Sequence, residues 1–325
     1  MFSGTPTTVR IHSLRMIGLA IGVCVGVLAP AQDVEAFLAE GDSLLKEGKP
    51  QRALEAYNQA VANEASARTY FARARASHVL ERNDHFLLDV ERALRLDSTL
   101  AAAHYLRALY ALRALDMKKA IEHAGSAIAH TANDTIRTES LIIRGLAHAE
   151  EKHTAEAMAD LETALAAGED DVEAMRVLAR MYDAAGRHED ALRILERLTV
   201  LEPGEVGHWT NRGFELIQLE RYDEALPMIE KALELDKDEP VALSNRAYIH
   251  YRKGNFSEAE KDVARSLRDY PANAYALRTR ALLRLRNGDR EKACEDLELA
   301  RALSGLEEVQ KLLEEHCSAT STPGR

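Results

Sequence analysis

The chain has 325 residues, 46% of them hydrophobic and 29% charged, enough to bury a large core and to exclude a disordered or collagen-like polymer. Its formal net charge is −11, with the acids spread along the chain, so a nucleic acid is not an expected partner. Only 5% of the residues are aromatic and 8 are proline, a balance that favours helices.

The first stretch reads as an export signal. Arg10, His12 and Arg15 precede an apolar run from Met16 to Ala29, and Ala29-Pro30-Ala31 supplies small residues for cleavage before Gln32. The spacing predicts a signal peptide over residues 1–31 and a periplasmic or secreted mature protein. An uncleaved membrane anchor is the alternative, although the run is shorter than the roughly 20 apolar residues a spanning helix needs. Cys24 follows Val23 inside the run, where a lipoprotein signal would want a small residue. Cleavage removes two arginines and no acid, shifting the net charge from −11 to −13.

From Asp33 onward the small residues recur with a period near 34. One column reads Gly41, Ala74, Ala108, Gly145, Ala179, Gly213, Ala247 and Ala281. Twelve residues later stand Ala53, Phe86, Ala120, Ala157, Ala191, Ala225, Ala259 and Ala293; a third column reads Ala60, Ala93, Ala127, Ala164, Leu198, Ala232, Ser266 and Ala300. Only small side chains let two helix backbones approach closely, so these columns mark helix crossings. They predict an all-α protein of about eight helix-turn-helix repeats, at about 34–67, 67–100, 101–134, 138–171, 172–205, 206–239, 240–273 and 274–307.

The register carries three local expectations. Three extra residues around Thr135 to Arg137 predict a loop insertion between the third and fourth repeats. Phe86 in an alanine column predicts irregular packing, with helices forced apart or the ring pushed into a gap. Gly48, Gly186, Gly254 and Gly288 fall between paired helices, where positive φ ends the first helix, and Pro203, Pro240 and Pro271 fall at or just beyond the ends of later repeats.

The repeats resemble the tetratricopeptide repeat family over about residues 34–307. The family pattern of Trp, Leu-Gly, Tyr, Ala, an aromatic, Ala and Pro is met best by Trp209, Gly213, Tyr222, Ala225 and Ala232. Tyr182, Gly186, Ala191 and Pro203 meet it as well, as do Ala53, Ala56 and Tyr57. The resemblance implies a right-handed α-solenoid whose first helices line a concave groove that binds protein.

One column departs from the family. Where Leu is usual, this chain has Arg73, Arg107, Arg144, Arg212, Arg246 and Arg280. Asp89, Asp160, Asp262 and Asp296 lie sixteen residues after four of them, and a guanidinium near a packing seam needs a partner, so four intra-repeat Arg–Asp pairs are expected. Arg107 faces His123 instead, and Arg212 faces Met228; of these two, Arg212 lies nearer the groove and is expected to have another task.

A capping helix is expected over 306–317, with Leu306, Val309, Leu312 and Leu313 on one side and Glu307, Glu308, Lys311, Glu314 and Glu315 on the other. Cys317 ends it and Cys294 lies on the preceding helix; export is compatible with a disulfide between them, and two separate buried thiols are the alternative. Residues 318–325 read as a disordered tail.

Projecting the family's inward positions gives a peptide-binding surface of Arg176, Arg180, Thr210, Asn211, Phe214, Ser244, Asn245, Tyr248, Tyr251 and Arg278. Rings there would cover apolar side chains of an extended peptide while amides bond its backbone, or would simply fill the space between repeats. The Lys and Asn set that grips a C-terminal carboxylate in one branch of the family is only loosely imitated by Arg176, Arg180 and Asn211. Leu106, Leu109, Leu112, Ile142, Ile143 and Leu146 form a second, apolar patch suited to a partner helix or a homodimer mate.

Catalysis is not expected. No phosphate-cradling Gly-rich loop, His-Glu-x-x-His or zinc-spaced Cys/His cluster stands in the sequence, so no cofactor, metal or small-molecule substrate is implied. His148 and His153, five apart, would lie on different faces of a single helix, and the acids Glu169, Asp170, Asp171 and Glu173 read as a solvated loop and helix start. Two functions follow: an exported scaffold holding a peptide or protein segment in its groove, or a self-associating homodimeric envelope protein.

Overall fold

The computed structural model describes residues 34–168 and 170–317. The expected signal segment with Cys24, Glu169 and the expected tail lie outside the described residues. Among those residues every element is an α-helix. They run α1 (Val34–Lys46), α2 (Pro50–Asn63), α3 (Ala67–Val79), α4 (Asn83–Leu96), α5 (Ala101–Arg113) and α6 (Met117–His130). Next come α7 (Asp134–Glu150), α8 (Thr154–Ala166), α9 (Val172–Ala184), α10 (His188–Leu201), α11 (Val206–Gln218) and α12 (Tyr222–Leu235). The chain closes with α13 (Pro240–Arg252), α14 (Phe256–Asp269), α15 (Ala274–Arg286), α16 (Arg290–Leu303) and α17 (Glu307–His316). The first sixteen helices make eight helix-turn-helix pairs and the seventeenth follows them, the order of an α-solenoid. They fall into two compact units, divided after Asp89 inside α4.

The first compact unit centres on Leu38, Leu44, Ala53, Tyr57, Ala60, Ala72 and Ala76. A Cβ at Gly41 would stand 2.3 Å from the Tyr57 ring, which is why that position holds no side chain. Phe86 is fully buried, with its ring 5.1 Å from that of His78, so the large residue in the alanine column is accommodated against a ring and α4 stays helical around it.

In the second unit the small columns are the buried seams. Ala108, Ala120, Ala127, Ala157, Ala164, Ala191, Ala225, Ala232, Ala247, Ala259, Ala281, Ala293 and Ala300 are all fully buried. A Cβ at Gly213 would meet Ile229 at 2.3 Å, and one at Gly145 would meet Leu161 at 2.7 Å. Leu198 and Ser266, the non-alanine members of the third column, are fully buried too; the Ser266 hydroxyl donates to the Pro240 carbonyl at 2.6 Å.

The insertion near Thr135 is not a loop. Asn133 accepts from the Ile136 N–H at 3.0 Å and caps α7, so the extra residues form an added helical turn and α7 runs 17 residues against 13 in α5 and α9. The physical reason is that an N-cap at Asn133 and a run without proline or glycine favour continuing the helix over opening a loop.

Every helix pair turns through one residue of positive φ. Gly48, Gly186, Gly254 and Gly288 serve four pairs, with φ between 69° and 82°, and Glu81, Leu115, Lys152 and Glu220 serve the other four at 55° to 61°. The left-handed residue ends the first helix of each pair, and the glycines do this without steric cost. Pro240 is the first residue of α13, where its missing N–H removes no helix bond.

Four bidentate ion pairs tie first helix to second within a repeat. Arg73 meets Asp89 at 2.6 and 2.8 Å, and Arg144 meets Asp160 at 2.7 Å through both nitrogens. Arg246 meets Asp262 at 2.7 and 2.9 Å, and Arg280 meets Asp296 at 2.9 and 2.7 Å. All four aspartates are buried, and the hydrogen bond to its aspartate raises the pKa of Arg73, Arg144 and Arg246. Arg212, lacking an aspartate, reaches back one repeat to Thr199 Oγ1 and Glu196, each at 3.2 Å, and its Nε is buried without a partner among the described residues. Its separate task is thus to tie the fifth repeat to the sixth. Arg107 stacks toward Tyr110 at 5.8 Å, while His123 meets His104, Nδ1 to Nδ1, at 2.9 Å. Burial above all, with the electrostatic effects of the neighbouring His104 and Arg107, pushes the His123 pKa down to about 4.

The final helix packs Val309 and Leu313 onto Leu277 and Leu297 of the last repeat. Cys294 and Cys317 are joined as a disulfide, with their Cα atoms 5.7 Å apart.

Candidate functional site

The expected groove residues divide among three environments. Arg176 and Arg180 from α9, with Asn211 and Phe214 from α11, line one cavity of about 570 Å³. Its apolar wall is Ala179, Leu195 and Leu198; its polar wall is Asp183, Glu205, His208 and Glu215. The 3.6-residue helix period sets Arg176, Ala179, Arg180 and Asp183 on one face of α9, and Gly207, Asn211, Phe214 and Glu215 on the facing side of α11. The volume is in the range of a ligand pocket, and the lining is rich in charge, with Arg176 and Arg180 facing a set that holds Asp183, Glu205 and Glu215.

Tyr248 and Arg278 lie elsewhere, around a smaller cavity of about 230 Å³ with Tyr222, Arg252 and Glu308. The Arg278 guanidinium sits 4.0 Å from the centre of the Tyr248 ring and donates to Glu308 of α17 at 2.7 Å. Arg252 donates to the Tyr248 hydroxyl at 3.0 Å. The charge and ring at this end are thus met by the chain's own final helix. Tyr251 is half-buried with its ring 5.8 Å from Phe256.

Thr210, Ser244 and Asn245 are buried. The Ser244 hydroxyl donates to the Val241 carbonyl at 2.8 Å, whereas Thr210 Oγ1 and Asn245 Nδ2 have no hydrogen-bond partner among the described residues. These three side chains stand within the helix packing.

Around the larger cavity the side chains differ in how far they are already engaged. Glu202 accepts from His208 at 2.8 Å and from Arg176 at 2.6 Å; those bonds, the histidine's foremost, hold its carboxyl below the usual range. Arg180 and Asn211 are exposed and, among the described residues, have no hydrogen-bond or ion-pair partner. Phe214 is half-buried, its ring edge-on to Tyr275 at 5.5 Å.

Sequence reasoning missed Asp183, His188 and Glu215. His188 Nδ1 lies 2.8 Å from a Glu215 carboxylate oxygen and 3.9 Å from one of Asp183. Glu215 is only 3% exposed, and burial, partly offset by the His188 hydrogen bond and reinforced by the Asp183 charge, pushes its carboxyl up to about 7. Burial raises the Asp183 carboxyl as well. The signal was present in the repeat register. Glu215 is the single acid in a column that otherwise reads Ser43, Ala76, Tyr110, Ala147, Met181, Ile249 and Leu283.

His148 and His153 do meet, with their Nδ1 atoms 3.3 Å apart, because α7 ends at Glu150 and the turn brings His153 back over it. The expectation that they point apart assumed one continuous helix. Asp171 caps α9 by accepting from the Ala174 N–H at 2.7 Å, and Asp170 pairs with Arg197.

The apolar patch of the third and fourth repeats is largely internal. Ile142 and Ile143 are buried, and Leu106, Leu109, Leu112 and Leu146 are half-buried. Leu109 and Leu112 pack in one cluster with Ile143, and Leu146 packs in another with Ile142.

Tetratricopeptide repeat models match residues 38–101 and 144–205, 178–248 and 216–283. No curated protein sequence matches the chain. Among solved structures it is similar to a tetratricopeptide repeat protein from Parabacteroides merdae, at 16% identity over 88% of this chain and 99% of that one, with a TM-score of 0.46. MamA from Desulfovibrio magneticus aligns at 18% identity over 52% of this chain and 93% of its own, with a TM-score of 0.45. A thermophilic TPR protein in Thermus thermophilus aligns at 17% identity over 56% and 100%, also at 0.45. The repeat models together span well over half of the chain, and their matches fall on the helix pairs whose seams, turns and 34-residue register are described above: the chain belongs to the tetratricopeptide repeat family.

Proposed function

We propose that this protein is an exported protein-interaction scaffold that holds a peptide segment in the cavity between its fifth and sixth repeats. The fold supports the general reading, since tetratricopeptide solenoids serve as protein-binding scaffolds. The observation that carries the specific one is the pairing of unengaged Arg180 and Asn211 with an apolar wall. The guanidinium suits a carboxylate, the amide suits a backbone group, and Phe214 with Leu195 and Leu198 suits an apolar side chain. Residues 1–31 support export by their composition, and the disulfide is of the kind that oxidising compartments sustain.

Peptides selected on the full mature chain from a random display library test this reading by fluorescence anisotropy. Arg180→Glu and Phe214→Ala should each weaken the best peptide at least tenfold, about 1.4 kcal/mol. No selected peptide, or binding by both variants as tight as that of the unmutated chain, overturns it. Self-association through the third and fourth repeats has less to support it, because its side chains already pack on one another.

A further inference from the structure

The geometry points to a divalent transition-metal site formed by Asp183, His188 and Glu215 at the wall of the larger cavity. The three come from separate elements: Asp183 near the end of α9, His188 at the first residue of α10, and Glu215 within α11. The left-handed turn at Gly186 folds α10 back so that His188 faces Asp183, and the packing of the sixth repeat on the fifth brings Glu215 against both. Their candidate donor atoms, one from each side chain, all lie within 4.8 Å of one another.

Two independent features favour a cation there. First, the charges do not balance: two carboxylates share one imidazole, and among the described residues no lysine or arginine pairs with either acid. Glu215 is buried, and among the described residues the His188 contact is the single hydrogen bond of its carboxylate. A buried carboxylate left this way is costly unless a proton or a cation joins it. Secondly, the donor set has the right chemistry and spacing. One imidazole nitrogen and two carboxylates suit zinc, cobalt or manganese, whereas calcium wants six to eight oxygens. Four-coordinate zinc with bonds of about 2.0–2.1 Å separates its donors by about 3.3 Å, within reach of small side-chain rotations here. Asp183 and Glu215 line the same cavity as Arg180 and Asn211, so the proposed site borders that cavity.

This site stands apart from the peptide reading, and its test needs no peptide. The full mature chain, without an affinity tag, is stripped with a chelator. It is then titrated with zinc by calorimetry and with cobalt by visible absorption. One equivalent should bind, with cobalt showing d–d bands of an imidazole–carboxylate site, and Asp183→Asn and Glu215→Gln should each weaken zinc at least tenfold. Far-UV circular dichroism verifies that each variant is folded; Asp183 is half-exposed, so its variant keeps the test open if Glu215→Gln does not fold. Absence of one-equivalent binding, or binding unchanged in the folded variants, overturns the proposal. The latter outcome would place the metal on another histidine pair, such as His148 and His153.

Discussion

At the scale of single residues, the Arg–Asp pairs are where the chain departs most from its family and where the departure explains itself. Each arginine stands beside a helix seam, and its aspartate is buried, so removing one partner leaves the other uncompensated. Asp262→Asn should cost about 3 kcal/mol, the low end of the range for a broken buried pair because Arg246 keeps some solvent access, whereas Arg246→Met with Asp262→Leu should be near neutral. Urea unfolding of the three proteins checks both values, and a near-neutral single variant would remove the structural role. These pairs were legible in the sequence because the repeat period puts both partners at a fixed offset of sixteen residues. Glu215 stood out as the single acid of its column, but its meeting with Asp183 and His188 was not legible, since two adjoining repeats contribute the three at unrelated offsets and only the packing of the sixth repeat on the fifth brings them together. Buried Thr210, Ser244 and Asn245 show the same limit: the helix period places a residue on a face, but the closeness of the next repeat decides whether that face meets solvent.

At the scale of elements, the turns show how a constraint on the backbone can be met by unlike side chains. Glycine was readable at four of the eight turns, but Glu81, Leu115, Lys152 and Glu220 adopt the same left-handed conformation and carry no such mark. A non-glycine residue there costs roughly 1–2 kcal/mol, and glycine's extra freedom in the unfolded chain returns about half of that. Leu115 is 78% exposed and loses little packing when replaced. Leu115→Gly should therefore raise stability by about 0.5–1 kcal/mol, seen as a higher melting temperature; a lower one would show that the leucine contributes packing of its own. The added turn of α7 has the same lesson. Counting residues located the insertion, but Asn133 as a cap decided that it would be helix.

At the scale of the whole molecule, compartment and fold meet at the last helix. Val309 and Leu313 cover the final repeat, and the Cys294–Cys317 bond holds the end of α17 against α16. Closing a loop of this length stabilises by about 3 kcal/mol in an oxidising compartment and not in a reducing one. Intact mass of the protein taken from its native compartment should equal residues 32–325 less two hydrogens. A chain that retains residues 1–31, or free thiols at both cysteines, would overturn export with oxidation. The helix-turn-helix order was legible because the repeats restate one pattern, while the pairing of two cysteines, stated once, had no second copy to confirm it.

The Arg–Asp pairs also define where this chain could be recombined. A crossover between α13 and α14 would send Arg246 and Asp262 to different parents, leaving each daughter a buried charge whose complement stayed behind. A crossover between α14 and α15 would pass every such pair on intact. The join between the fifth and sixth repeats is the exception, because Arg212 there draws on Thr199 and Glu196 of its neighbour. The smallest inheritable piece is therefore one repeat over most of the array, and two repeats at the wall of the larger cavity.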